Sequence, residues 1–140
     1  MENSPSTKKK ILVVDDDPSV LSFLSFSLQG EGFEVLQAKD AEASLKILKT
    51  TIPDLILLDI MMPKMDGFAM CKDLRTDPRF NAVPILFITA YADPSSLKKT
   101  TESGGQGLIE KPIMFDELLL QVLDALEGRF SLPTRLKFSA

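Results

Sequence analysis

Histidine is absent from the 140-residue chain. That absence removes Ser-His and Cys-His nucleophilic mechanisms, and with them every imidazole metal site. Cysteine occurs once, at Cys71, so no internal disulfide can form and a reducing compartment is the natural setting. No stretch approaches the roughly 18 apolar residues of a membrane span. The four apolar residues 11–14, which follow Lys8, Lys9 and Lys10, are too few for the core of a secretory signal. There is no excess of basic charge either. Sixteen Lys and Arg stand against twenty Asp and Glu, a net charge of −4 that argues against a nucleic-acid surface built on bulk charge. Neither a P-loop nor a GxGxxG pattern appears, and no internal repeat or low-complexity linker divides the chain. These absences lead to the expectation of a cytoplasmic protein with neither a membrane nor a nucleic-acid partner.

What is present has the balance of a globular domain, with 44% hydrophobic and 26% charged residues. A chain of this length is one domain that buries roughly two-thirds of its unfolded surface. It is organised around residues 53–67, PDLILLDIMMPKMDG. Four aliphatic residues, 55–58, run without a polar break and stop at Asp59. Such a run predicts a parallel strand buried on both faces, with Asp59 at its carboxyl end, where open α/β sheets place their ligand sites. Pro63, Asp66 and Gly67 then turn the chain away.

A second run, Ile11-Leu12-Val13-Val14, also ends in carboxylates, Asp15, Asp16 and Asp17. Asp17-Pro18 reads as a helix cap with proline in the first turn, followed by Val20, Leu21, Leu24 and Leu28 at helical spacing. Gly30 and Gly32 close that helix, and residues 33–36 predict a strand. Asp40 caps a second helix with Leu45, Ile47 and Leu48 inward; Asp66 caps a third with Phe68, Cys71 and Leu74. Residues 85–88 predict a strand leading to Thr89, and Leu108-Ile109 a short one leading to Lys111-Pro112, where Pro112 is a candidate for a cis bond. Between them, residues 94–103 predict a helix whose one large aliphatic residue is Leu97, so tertiary contacts hold it weakly. Phe115, Leu118, Leu119, Val122, Leu123 and Leu126 mark a strongly amphipathic last helix. The alternation makes five β-α units joined by right-handed crossovers, hence a parallel sheet with helices on both faces. The expected divisions are a flexible segment 1–8, a domain 9–127 and a tail 128–140.

Polar groups stand at the ends of these strands: Asp15 and Asp16, Asp59, Thr89, and then Lys111. If the first and third strands are neighbours, their carboxylates meet and repel unless a cation joins them. With only oxygen donors on offer, the hard ion Mg²⁺ is the natural partner, with Mn²⁺ as a substitute. A hydroxyl and an ammonium at the rim can hold an anion beside it. Together these groups describe a site that accepts a phosphoryl group on a carboxylate oxygen.

ILVVDDD, PDLILLDIMMPKMDG, ILFITA and EKP, in that order, resemble the receiver domain of two-component response regulators over residues 9–127. The resemblance is to the chemotaxis-regulator-like, single-domain kind. It implies a flavodoxin-like (βα)5 three-layer sandwich with strand order 2-1-3-4-5. It further implies that Asp59 takes phosphate from a partner's histidine. Asp15, Asp16 and Asp59 would hold Mg²⁺ with the Met61 carbonyl, and Thr89 and Lys111 would bind the phosphoryl oxygens. The partners implied are a sensor histidine kinase or histidine phosphotransfer protein and a downstream protein target. Apart from its own phosphoryl transfer and dephosphorylation, the protein is not expected to be an enzyme.

The sequence departs from the family's pattern three residues before the lysine, where an aromatic is usual and Leu108 stands. Met61 and Tyr91 flank the expected path of hydrolytic water. The expected output face lies around residues 94–103, Leu108 and the last helix, with no effector domain fused to it. Alternatives are a receiver fragment of a longer regulator, a phosphorelay intermediate, a pseudo-receiver, an aspartyl phosphatase or a flavodoxin-like cofactor binder. The phosphatase would need a second Asp at position 61, which is Met61, and the cofactor binder a phosphate loop after residue 14.

Overall fold

The computed structural model describes residues 8–129. Most of the expected flexible segment 1–8 and of the tail 128–140 lies outside the described residues. In chain order the elements are β1 (Lys10–Val14), α1 (Pro18–Gly30), β2 (Glu34–Ala38), α2 (Ala41–Leu48), β3 (Leu55–Asp59) and α3 (Gly67–Leu74). A short 3₁₀ turn (Pro78–Phe80) leads to β4 (Ile85–Thr89), α4 (Pro94–Ser103), β5 (Gly107–Glu110) and α5 (Phe115–Leu126). All strand pairs are parallel, in the order β2-β1-β3-β4-β5. This is the expected α/β sandwich, with β1 and β3 adjacent at the point where the strand order reverses.

The central strands are apolar along their whole bodies because both of their faces are covered. Side chains alternate across the sheet. Ile11, Val13, Leu55, Leu57, Leu86, Ile88 and Ile109 face α1 and α5, meeting Leu21, Leu24, Leu28, Leu118, Val122 and Ala125. Leu12, Val14, Ile56, Leu58, Ile85, Phe87 and Leu108 face the other way, toward Leu48, Met70, Cys71 and Leu74 of α2 and α3. Cys71 is one of these fully buried core residues.

Helix starts follow the capping residues. Asp17, Asp40, Asp66 and Asp93 each accept a backbone N–H two or three residues on, at 2.8–2.9 Å. Gly67 is required where it stands: a β-carbon there would lie 2.5 Å from the Asp59 carbonyl, so α3 can begin against the end of β3. α4 ends at Gly104, whose φ of +95° suits a residue without a β-carbon.

α4 buries Thr100 and Ser103, with Leu97 partly covered. Their hydroxyls donate to carbonyls of the same helix, Thr100 to Ser96 and Ser103 to Thr100. At its carboxyl end the helix is tied down by Arg75, whose guanidinium donates to the carbonyls of Gly104 (3.0 Å) and Phe80 (2.6 Å) and to Gln106 Oε1 (2.9 Å).

Four sequence expectations need correction. β2 begins one residue later than residue 33 and runs to Ala38, because pairing with β1 sets its limits rather than its own apolar residues. Leu45 and Ile47 pack against the core as expected but are only partly buried, since α2 is short and turns Ala41, Ser44 and Leu48 to the sheet. Leu123 of α5 is exposed, because Leu118, Val122 and Ala125 already fill the stripe facing the sheet. Leu108 is fully buried and contributes no surface to an output face.

Candidate functional site

β1 and β3 pair so that Val14 lies beside Leu58, which brings the next residues, Asp15 and Asp59, to the same edge of the sheet. Asp15 is completely buried and Asp59 nearly so, at 2% exposure. One oxygen each of Asp15, Asp16 and Asp59 can be chosen so that all three lie within 4.8 Å of one another. Asp16 completes the group from the exposed side.

Lys111 enters from the end of β5. Its ammonium is 3.0 Å from Asp15 Oδ2 and 3.9 Å from Asp59 Oδ1. The backbone at this point is held by the Lys111 N–H, which donates to the Thr89 carbonyl at 2.7 Å, and the Lys111-Pro112 bond is cis. Asp15 Oδ1 accepts the Asp17 N–H at 2.9 Å, and Asp59 Oδ1 accepts that of Met61 over a long 3.3 Å. Asp15 Oδ2 is buried and, the lysine's charge apart, has no donor aligned with it.

The electrostatics follow from this crowding. Burial, reinforced by the neighbouring Asp15 charge, pushes the Asp59 carboxyl up to about 7; Lys111 pulls it only partway back. For Lys111, burial works against the charged form, but Asp15 and Asp59 outweigh it and raise the ammonium's pKa. Asp17 stands apart: bonds from the Ser19 hydroxyl and N–H hold it below the usual carboxylate range, as a helix cap does.

An all-oxygen donor set, net negative and with a buried carboxylate oxygen lacking an aligned donor, fits a hard divalent cation. Mg²⁺ therefore suits Asp15, Asp16 and Asp59.

The remaining expected residues sit at the rim. Thr89 is 5% exposed, and its hydroxyl is occupied with its own loop: it donates to the Tyr91 carbonyl at 3.0 Å and accepts the Tyr91 N–H at 3.2 Å. The Met61 and Tyr91 side chains are exposed, 70% and 71%, in the loops that follow β3 and β4. Glu110 was not singled out by sequence reasoning. Its carboxylate accepts the N–H of Ala92 in the β4–α4 loop at 3.1 Å, and it pairs in register with Thr89. Its position beside Lys111 was the available signal.

The fold, the buried acid pair and the converging lysine define a class of phosphoryl-accepting signalling domain. Comparison with known proteins agrees. The response regulator receiver domain family matches residues 11–123, and the chain belongs to that family. It is 39% identical over 115 residues to the DNA-binding response regulator MtrA of Mycolicibacterium smegmatis, covering 82% of this chain and 49% of that protein. The alkaline phosphatase synthesis transcriptional regulatory protein PhoP of Bacillus subtilis is 41% identical over 104 residues, covering 74% of this chain and 42% of PhoP. Among solved structures, the chemotaxis response regulator CheY4 of Vibrio cholerae superposes with a TM-score of 0.81 at 31% identity, over 85% of this chain and 99% of that one. The chain spans about half the length of the curated relatives it matches. Receiver domains accept phosphoryl groups in two-component signalling, between sensor histidine kinases and downstream effectors, and that is the role of this domain. Among the described residues no helix is long and apolar enough to cross a membrane.

Proposed function

We propose that Asp59 is the phosphoacceptor and that residues 9–127 form the working unit. The observation that carries this reading is the convergence of Asp15, Asp16 and Asp59 with the Lys111 ammonium at the carboxyl end of adjacent strands. Mg²⁺, or Mn²⁺ in its place, supplies charge neutralisation and polarises phosphoryl oxygens when bound by these acids and the Met61 carbonyl.

A carboxylate oxygen of Asp59 attacks the phosphorus of a partner's phosphohistidine. The bond to the imidazole nitrogen breaks and an acyl phosphate forms on Asp59. Lys111 exchanges its contact with Asp15 for the incoming phosphoryl oxygens, and the Thr89 hydroxyl leaves the Tyr91 carbonyl to donate to another. Both supply positive charge where negative charge accumulates in transfer. Water later attacks the same phosphorus, releasing inorganic phosphate and the free Asp59 carboxylate, so the domain catalyses its own resetting. A chain without histidine is consistent with a donor histidine on a partner, a sensor kinase or a histidine phosphotransfer protein. Output is by contact with a downstream protein in the cytoplasm, through α4 and the exposed Leu120 and Leu123 of α5.

The test uses acetyl phosphate with Mg²⁺ and intact mass. One phosphoryl group is expected on the wild type, and none on Asp59→Asn or in the presence of chelator. Equal uptake by Asp59→Asn contradicts the assignment.

A further inference from the structure

The β4–α4 loop is short and fixed at both ends. Thr89 closes β4, and Asp93 caps α4 by accepting the Ser96 N–H at 2.8 Å. The three residues between carry the whole of any rearrangement that frees the Thr89 hydroxyl. Two of them are held by side chains in this structure: Tyr91 by Thr89 itself, and Ala92 by the carboxylate of Glu110. Ala92 is 7% exposed and belongs to the same core cluster as Leu108, so its N–H cannot exchange this partner for bulk water in place. Leu108, buried completely in the core beside Phe87 of β4, has itself no aromatic ring to swing in as the loop moves. Arg75 meanwhile pins the far end of α4. The hydrogen bond from Ala92 to the Glu110 carboxylate is therefore a restraint on the segment that must shift.

We propose that Glu110 is a positioning residue for phosphoryl uptake. Its carboxylate latches Ala92 and thereby sets how readily Thr89 is released from Tyr91 to a phosphoryl group on Asp59. The inference rests on the phosphoacceptor reading of Asp59. A hydrogen bond to an ionised acceptor is about twice as strong as a neutral one. Losing it shifts the balance between the latched and released loop by roughly tenfold. A ligand that needs the released loop gains affinity by the same factor when the latch is removed.

Beryllofluoride with Mg²⁺, a non-hydrolysing stand-in for the phosphoryl group, is titrated into the full chain as wild type, Glu110→Gln, Glu110→Ala and Asp59→Asn. Affinity, the Ala92 amide signal by NMR and the ligand-free melting temperature are followed together. Glu110→Ala is expected to bind about tenfold more tightly, with the Ala92 amide shifted and its exchange protection lost. Glu110→Gln keeps a neutral acceptor and is expected to fall between Glu110→Ala and the wild type. Loss of the bond lowers the ligand-free melting temperature on either reading; a purely structural Glu110 differs in giving weaker binding. Affinity of Glu110→Ala at or below that of the folded wild type overturns the latch. If the wild type binds no better than Asp59→Asn, the phosphoacceptor reading itself has failed, an outcome separate from failure of the latch.

Discussion

The bodies of the central strands and their carboxyl ends are built on opposite terms, although they are the same strands. From Leu55 to Leu58 every side chain is fully buried among hydrocarbon. One residue further, Asp59 is just as hidden but carries a carboxyl held near another, with a lysine 3.9 Å away. β1 repeats the contrast between residues 11–14 and Asp15. The strand bodies stabilise the fold; the ends hold charge in an arrangement that is uncomfortable without a cation. The same division separates the two helices that flank β5 in sequence. α5 is fixed by Leu118, Val122 and Ala125, while α4 turns inward only Thr100, Ser103 and the partly covered Leu97 and is held at its carboxyl end by Arg75, so a shift of its amino-terminal end disturbs less of the core.

The contrast can be broken most forcefully in a strand body. Leu57→Ala is expected to cost about 3–4 kcal/mol in urea unfolding, because it opens a cavity in a dense core. The folded fraction should still take up phosphate, since no charged group is touched. A smaller loss with impaired uptake would mean that body and end are not separable.

The strand end responds to pH with a sign opposite to that of a paired carboxylate. Asp59 holds its proton more tightly when folded, with a pKa of about 7 against an ordinary 3.8. Its contribution to stability is therefore greatest below about pH 4 and is lost as pH rises through about 7. In chelator at pH 8, Asp59→Asn is expected to be more stable than the wild type by about 2 kcal/mol, after allowing for relaxation of the site. The difference should narrow as pH falls toward 4, and also when Mg²⁺ is added. A variant less stable than the wild type at pH 8 in chelator would show that the end is not strained.

The smallest expected effect sharpens the picture at the rim. Met61→Asn replaces an exposed apolar side chain beside the acids with one that can orient water. Its phosphorylated form should decay several-fold faster than the wild type's, followed by intact mass. Equal decay rates would remove Met61 from the path of water.

Much of this was legible in the chain itself. Aliphatic runs ending in Asp15 and Asp59 predict buried parallel strands with acids at their tips, and Asp17, Asp40 and Asp66 announce their helices, because capping is a local interaction. Pairing-dependent features were less visible. The limits of β2 follow from β1, and the exposure of Leu123 depends on how wide a stripe the sheet can cover. Leu108 in the sequence shows that an aromatic is missing, but not that the leucine is wholly buried. The Glu110–Ala92 contact joins residues 18 apart through the β4–β5 register, and the Arg75 tether joins residues 29 and 31 apart; no local pattern encodes either.

The central claim is that the acid at the tip of β3 receives the phosphoryl group. The direct measurement is to phosphorylate the full chain with acetyl phosphate and Mg²⁺, reduce the acyl phosphate with borohydride, and map the peptides by mass. The account predicts homoserine at position 59 and unmodified carboxylates at Asp15 and Asp16. Reduction at either of those positions, or none in a chain that has gained a phosphoryl mass, would contradict it.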